Sequence, residues 1–194
     1  MKGWKQVTLG IVLMWPGFVA AESASERVKR GDIVVQTANV AGSSTPKVIA
    51  SAIVDAPMEK VWAVISNCSD YPKNMVRVAD AQELSRNGNK VRCKVTIDMP
   101  APLSDLSATT DAVHTVGKKR CERKWTLVEG DYKHNEGSWK LERLGEDGQK
   151  TLVVYEVFAE PNIAIPQALQ KLAQEKSVPD LFKKLREVTA NTAQ

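Results

Sequence analysis

The stretch Asp55-Ala-Pro-Met-Glu-Lys-Val-Trp62 marks the place where a strand ends and an amphipathic helix begins. The strand is predicted over Lys47–Asp55 and the helix over Pro57–Ser66. Pro57 suits the first helical position, because its missing N–H would have no partner there, and Glu59 lies near the positive end of the helix dipole. The apolar residues of this helix fall on one face: Met58, Val61, Trp62 and Ile65.

The N-terminus has the pattern of a secretory signal peptide. Lys2 and Lys5 precede an apolar stretch, Val7–Val19, which closes on small residues ending at Ala21. The alternative is an uncleaved membrane anchor, but the stretch is shorter than the roughly 20 residues that a membrane crossing needs. We therefore expect cleavage after Ala21 and export to the periplasm or the extracellular space.

The length of the chain predicts a single domain, and its net charge is small. Of 194 residues, the signal peptide takes 1–21 and leaves 173, and because it holds two lysines and no acid the net charge falls from +4 to +2. We expect a polar, mobile segment at residues 22–30 and a single domain over residues 31–194. So small a charge argues against nucleic acid as a partner. A monomer is expected.

One dense group of basic residues stands out in this balanced chain: Lys118, Lys119, Arg120, Arg123 and Lys124. As local structure it indicates a solvated hairpin. The alternative is transient contact with an anionic membrane surface, to which each basic residue contributes about 1 kcal/mol.

Three cysteines, Cys68, Cys93 and Cys121, allow at most one internal disulfide. The sequence does not choose between none and one. In a simple meander Cys93 and Cys121 would lie on strands separated by a third strand, about 9 to 10 Å apart and too far to bridge. This favours buried thiols that pack as small apolar residues. No Cys-x-x-Cys spacing exists and the chain has two histidines, so no metal site and no cofactor are expected.

The remainder of the chain reads mostly as strands joined by short turns, which predicts an antiparallel meander. Cys68–Met75 fits a loop or a short second helix, and Pro100 and Pro102 must interrupt the sheet. The predicted strands are Asp32–Val40 before the first helix, and then Val76–Leu84, Lys90–Asp98, Asp105–Val116, Arg120–Val128, Glu136–Leu144 and Lys150–Glu160.

The C-terminus changes to a helical period. Its apolar stripe runs from Ile165 to Leu185, with Pro179 inside it. Proline removes a backbone hydrogen bond, so the helix is predicted to kink or to split at this point. The predicted fold class is α+β, with one long helix across the concave side of a curved antiparallel sheet.

This order of elements resembles the START-like helix-grip (SRPBCC) superfamily, which includes polyketide cyclases/dehydrases and coenzyme Q-binding Coq10-type proteins. The resemblance covers about residues 33 to 190. It rests on Asp55–Trp62 and on four further motifs: Tyr71-Pro72, Gly137-Ser-Trp139, Thr151-Leu-Val-Val-Tyr155 and Pro161 through Ile165-Pro166. What it implies is a deep apolar cavity between the sheet and the terminal helix that holds a lipid, a quinone or a polycyclic compound.

Alternating strand positions and the helix stripe supply the candidate lining of that cavity: Val91, Cys93, Val95, Cys121, Arg123, Trp125, Trp139, Val153, Tyr155, Leu169 and Leu172. The same residues could equally be ordinary core, because the sheet shows one apolar face to both. In this register Arg123 points inward and needs an acceptor. A ligand head group could supply it, or an acid such as Glu156 or Asp111, and a register shifted by one residue would send Arg123 to solvent.

Three functions remain open on sequence alone. We favour an exported binding or carrier protein for a hydrophobic small molecule over a cyclase- or hydrolase-like enzyme or a ligand-free interaction domain. A catalytic set is not evident: Asp111 and His114 are three residues apart on a strand, which places them on opposite faces, and His134 is expected at a solvated hairpin tip. No Gly-x-Ser-x-Gly nucleophile motif occurs.

Overall fold

A computed structural model describes residues 22–191, so the predicted signal peptide lies outside the described part of the chain. Its centre is one eight-stranded antiparallel sheet in the order β1-β2-β8-β7-β6-β5-β4-β3. The strands are β1 Val34–Ala38, β2 Lys47–Val54, β3 Val78–Asn87, β4 Lys90–Ile97, β5 Leu106–Val116, β6 Arg120–Gly130, β7 Tyr132–Leu144 and β8 Lys150–Pro161. The meander from β3 to β8 is confirmed, and β2 closes against β8.

In the described part of the chain, five α-helices accompany the sheet: α1 Ala24–Lys29, α2 Met58–Ser66, α3 Tyr71–Asn74, α4 Gln167–Leu172 and α5 Val178–Asn191. A 3₁₀ turn, Cys68–Asp70, leads into α3. Pro57 is the N-cap of α2 rather than its first residue, a shift of one position from the prediction. The α+β helix-grip fold is confirmed. Within residues 22–191 no helix combines the length and the apolar composition that a membrane crossing requires.

The core forms where α2 and α5 press on the concave face of the sheet. Met58, Val61 and Ile65 of α2 are fully or almost fully buried, and Phe182 and Leu185 of α5 are completely buried. Burying each of these side chains contributes about 1.5 to 3 kcal/mol to the free energy of folding. The helical face predicted from Asp55–Trp62 is therefore the one that holds α2 against the sheet.

The expected mobile segment before β1 is instead folded into helix α1. Ser23 accepts a hydrogen bond from the backbone of Glu26, and Glu26 accepts one from the backbone of Ser23, so the two form a capping box. Val28 is buried. The prediction treated this stretch as polar, and it overlooked the cap that begins the helix and the single apolar residue that fixes it.

Cys68 and Cys93 form a disulfide, with their Cα atoms 6.5 Å apart. The preference for three buried thiols was therefore wrong for these two residues. The 3₁₀ turn after α2 folds back beside β4 and brings Cys68 to Cys93, a long-range approach that no strand spacing could reveal. Cys121 lies on β6, separated from β4 by β5 as predicted, and stays a buried free thiol.

The terminal helix is not split at Pro179. Instead, α4 and α5 are joined without interruption by a π-helical turn, Ala173–Ser177. Within it the N–H of Val178 donates to the carbonyl of Ala173, five residues back. Pro179 has no N–H and cannot donate the next α-helical hydrogen bond. The wider π-helical turn directly before it lets the helix continue without that bond.

Candidate functional site

A cavity of about 230 Å³ lies between the concave face of the sheet and the α3 and α5 helices. Tyr71 of α3 and Leu181 of α5 close it on the helical side. The sheet supplies most of the remaining wall, chiefly with aliphatic and aromatic side chains: Val78, Val95, Ile97, Ala108, Thr110, Arg123, Trp125, Tyr132, Asn135, Trp139, Tyr155, Val157 and Ala159.

A second cavity of about 270 Å³ adjoins the first beneath α4 and the π-helical turn. The two share four wall residues: Ile97, Tyr132, Val157 and Ala159. Leu169 and Leu172 of α4 line the second cavity, and Leu172 is also 44% exposed. The second cavity therefore reaches the protein surface beside α4.

An aromatic group forms the floor of the first cavity. The ring centroids of Trp139 and Tyr155 are 4.3 Å apart, and those of Trp125 and Tyr155 are 6.1 Å apart. The Trp125 indole N–H donates to the Asn135 side-chain oxygen at 3.0 Å. Burial raises the pKa of the Tyr155 hydroxyl, so it stays protonated and can donate a hydrogen bond.

Trp125 has room because the residue opposite it in the β6–β7 register is Gly137. A β-carbon at Gly137 would lie 2.5 Å from Cζ2 of Trp125 and would also meet the carbonyl oxygen of Glu156. This glycine is needed for a close approach, since its side-chain hydrogen leaves space for the indole ring.

Arg123 points inward and is only 3% exposed. Its Nη1 lies 2.7 Å from Nε2 of His114, and its Nη2 lies 3.5 Å from the sulfur of Cys93. The Tyr71 ring lies under the guanidinium at 6.0 Å from its centroid. Arg123 makes no ion pair with any residue between 22 and 191.

The two acids considered as partners for Arg123 are engaged elsewhere. Asp111 pairs with Arg92 at 2.7 Å, and Glu156 pairs with Lys140 at 2.8 Å. Both ion pairs involve exposed or partly exposed side chains. The inward register of Arg123 is thus the one that the structure adopts, without the carboxylate partner that was one of the expected alternatives.

His114 lies behind Arg123, not on the wall of the cavity. Arginine only donates, so Nε2 of His114 accepts and the ring proton is assigned to Nδ1. Burial and the neighbouring Arg123 charge lower the pKa of His114 to about 4, so the imidazole is neutral at pH 7. The Trp62 ring packs edge-on against it at 5.1 Å. The predicted separation of buried His114 from exposed Asp111 is confirmed.

His134 is exposed as expected, but it lies on β7 rather than at a hairpin tip and stacks on Phe158 at 5.5 Å. Among residues 22–191 no three or more histidine, cysteine or acidic side chains come close enough together to hold a metal ion.

Residues 54–186 match the model of a single protein family, described as polyketide cyclase / dehydrase and lipid transport. The chain belongs to this polyketide cyclase / dehydrase and lipid transport family. The resemblance inferred from sequence motifs is therefore confirmed. No curated protein matches the chain.

Solved structures share the fold of this polyketide cyclase family member at low sequence identity. A STAR-related lipid transfer protein fragment from Xanthomonas axonopodis is 19% identical, with a TM-score of 0.66 over 84% of this chain and 94% of that one. Human StAR-related lipid transfer protein 5 is 14% identical, with a TM-score of 0.70 over 84% of each chain. The Zhui aromatase/cyclase from Streptomyces sp. R1128 is 16% identical, with a TM-score of 0.59 over 75% and 94%.

The predicted lining residues of this family member divide into three groups. Five lie on the wall of the first cavity: Val95, Arg123, Trp125, Trp139 and Tyr155. Leu169 and Leu172 lie on the wall of the second. The remaining four are packed in the core and line neither of these cavities: Val91, Cys93, Cys121 and Val153. Alternation identifies the inward face of a strand, but it does not show where along the strand the helices stop covering it.

Several wall residues were missed. Tyr71 and Met75 reach the cavity because the 3₁₀ turn and α3 fold over it, which sequence spacing does not show. Asn135 and Tyr132 lie outside the predicted strands, yet β7 begins at Tyr132. Extending the inward alternation of Trp139 backwards would have found Asn135. Tyr132 lies beyond a register shift, so simple alternation could not have placed it.

Proposed function

We propose that this protein is an exported binding or carrier protein for a hydrophobic small molecule, held between the sheet and the terminal helix. The observation that carries the proposal is the pair of adjoining cavities, which together measure about 500 Å³. That volume lies within the roughly 300 to 1,000 Å³ of small-molecule sites. Their mainly apolar walls with a few polar groups match the same class of site.

The comparisons support a lipid-like ligand. Lipid transport is part of the description of the family, and two of the similar folds are named as lipid transfer proteins. The aromatic floor formed by Trp125, Trp139 and Tyr155 offers flat apolar surface to such a ligand. A quinone or a polycyclic compound would use the same surface.

The proposed path for the ligand runs under α4. Leu172 lies both on the cavity wall and at the surface, and Ile163, in the loop before α4, is 44% exposed. A transient contact of this edge with a membrane would let an apolar ligand transfer without crossing water. The basic residues Lys118, Lys119 and Arg120 are exposed at the β5–β6 turn and could assist such contact.

Export is part of the proposal. The signal-peptide pattern of residues 1–21 is its basis, and the Cys68–Cys93 disulfide supports it, because disulfides persist mainly in oxidising compartments. A monomer is proposed for the exported chain, with no nucleic acid among its partners.

The proposal is tested by uptake of Nile red, a neutral apolar dye whose fluorescence rises on leaving water. We expect saturable binding at one dye per chain. Ala159 lies on the wall shared by the two cavities, so Ala159→Trp fills their junction and should weaken binding at least about tenfold, as overfilled sites do. Thr126→Trp adds the same side chain at an exposed position of β6 and is the matched control.

Equal binding by both variants would place the dye outside the cavities and refute the proposal. The enzyme alternative is separated by recovering the hydrophobic ligand after incubation. A carrier returns it chemically unchanged, whereas conversion to a product would favour a cyclase- or hydrolase-like activity.

A further inference from the structure

The charge of Arg123 is not balanced within its surroundings. Isolated buried charge is strongly disfavoured unless it is paired, and Arg123 is almost completely buried without a carboxylate partner among residues 22–191. Glu83 interacts electrostatically with Arg123. Its carboxylate, however, already binds Arg86 through two hydrogen bonds of 2.8 and 2.6 Å. Arg86, Glu83 and Arg123 together therefore keep one net positive charge.

His114 does not supply the missing negative charge. It accepts one hydrogen bond from Arg123 as a neutral ring, and the sulfur of Cys93 accepts a second, longer one. A guanidinium has five N–H donors. The remaining N–H groups have no protein acceptor in the described part of the chain, while the Arg123 side chain itself lines the first cavity.

The other polar groups of the cavity wall are neutral. Thr110 is buried on β5, and the hydroxyls of Tyr132 and Tyr155 stay protonated because burial raises the pKa of Tyr132 to about 12 and that of Tyr155 still further. Tyr71 donates its hydroxyl to the carbonyl oxygen of Ile65 at 2.6 Å. These groups can orient a head group, but none of them can neutralise Arg123.

We propose that the ligand is a single-tailed amphiphile with a negatively charged, oxygen-bearing head group, a carboxylate or a phosphate monoester, which binds Arg123. This inference rests on the proposed function and adds the charge and the orientation of the ligand. The head lies at Arg123, and the tail passes Trp125 and Tyr155 towards Ala159 and the second cavity.

The second cavity fits the tail, because its two charged wall residues, Arg77 and Asp98, pair with each other at 3.6 Å. Its wall beneath α4 is mainly aliphatic, with Ile165, Leu169 and Leu172 on the helical side. Head and tail thus have separate places in the two adjoining spaces. A combined volume near the lower end of the range for ligand sites suits one acyl chain rather than two.

The test compares ligands of one chain length in the full exported protein. Palmitate, hexadecyl phosphate and neutral hexadecanol compete with Nile red at pH 8, below their micelle concentrations. We expect at least one of the two anions to bind at least about tenfold more tightly than hexadecanol, the advantage typical of charge-assisted hydrogen bonds. The ratio between palmitate and hexadecyl phosphate assigns the head group.

Arg123→Gln removes the charge and should abolish the preference for the anion over hexadecanol. Lys124→Gln is the matched control, because Lys124 is the next residue on β6 and is exposed; it should keep the preference. Arg123→Lys retains the charge but not the planar fork, and should keep part of the preference. If the Arg123→Gln variant does not fold, the comparison of the two anions with hexadecanol in the wild-type protein still tests the inference.

Hexadecanol binding as tightly as both anions would overturn the inference while leaving the carrier function intact. An anion preference that persists in a folded Arg123→Gln variant would also overturn it. Absence of binding by Nile red and by all three amphiphiles is a separate outcome, which would refute the proposed function itself.

Discussion

The guanidinium of Arg123 and the imidazole of His114 meet at 2.7 Å on the inward face of neighbouring strands β6 and β5. The two residues are paired directly in the strand register. His114 acts as an acceptor that holds Arg123 in place, while Arg123 discourages protonation of His114. A neutral histidine thus positions a charged arginine on the cavity wall.

This pairing predicts a dependence of stability on pH. The folded-state pKa of His114 is about 4, below the unfolded value near 6.5. Between these values the unfolded chain binds a proton that the folded chain rejects, so the free energy of unfolding falls as the pH falls from about 6.5 to 4. His114 should contribute a loss of about 2 kcal/mol between pH 7 and pH 5. Urea unfolding at the two pH values measures it.

The groups that face His114 are Arg123, Arg86, Glu83 and the Trp62 ring. His114→Gln removes the titrating group and should flatten the pH dependence by that amount. His134→Gln replaces the chain's other histidine, which is exposed, and should leave the dependence unchanged. If both variants retain the wild-type pH profile, His114 is not the titrating group.

The Cys68–Cys93 bridge predicts both a thiol count and a stability change. The denatured protein should react with one equivalent of a thiol reagent before reduction and three after it. The two cysteines are 25 positions apart along the chain, so the bridge should contribute about 3 kcal/mol to the free energy of unfolding. Replacing both cysteines by serine measures this in urea.

Cys121→Ser is the control for that measurement, since its thiol is free and its replacement leaves the bridge intact. The double variant should also bind ligand less tightly, because the bridge anchors the turn that leads to Tyr71 and Met75 on the cavity wall. Three free thiols in the unreduced protein would contradict the bridge.

Gly137 should be sensitive to a single added methyl group. Gly137→Ala places a β-carbon against Trp125 and against the Glu156 carbonyl, so we expect a loss of about 1 to 3 kcal/mol in the free energy of unfolding. Displacement of Trp125 should also weaken Nile red binding. Gly117→Ala adds the same methyl where its one close neighbour is 3.2 Å away, and should be milder. Equal stability of both variants would refute the close approach.

Pro179→Ala should alter ligand exchange more than folding. The new N–H can donate an α-helical hydrogen bond and so convert the π-helical turn into α-helix. That conversion shifts the helix by one residue and would rotate α4 by about 100° about its axis. Leu169 and Leu172 would then leave the cavity wall. We expect ligand dissociation to accelerate by a factor on the order of ten, or about 1.4 kcal/mol at the barrier.

The melting temperature of that variant should change by less than about 4 °C, because the core under α5 is untouched. Lys176→Ala, at an exposed position of the π-helical turn, is the control for dissociation. Loss of folding in Pro179→Ala would show instead that the turn is structural.

The elements that could be predicted from the sequence are those set by hydrophobic periodicity and by turn and helix-start residues. The helix after Asp55 and the meander both follow from local patterns, whereas alternation left the inward and outward registers of Arg123 open. Prediction from sequence failed where distant segments meet. Cys68 approaches Cys93 through the tertiary path of the 3₁₀ turn, and Tyr132 enters the cavity through a register shift. Neither event has a local signal.

The sequence also did not show which inward-facing residues belong to the core and which line the cavity. Val91 and Val95 have the same character and the same parity on β4, yet Val91 is packed in the core and Val95 lines the first cavity. That difference depends on the lengths and positions of the covering helices. The candidate list therefore identified the correct face and overestimated the extent of the wall.

The central claim is that the two adjoining cavities hold one hydrophobic molecule. Native mass spectrometry of the gently purified protein, followed by mass spectrometry of its solvent extract, tests it most directly. We expect one bound amphiphile per chain in the wild type and its absence in Ala159→Trp. A wild-type protein that carries no small molecule and takes up none of the offered lipids would contradict the account.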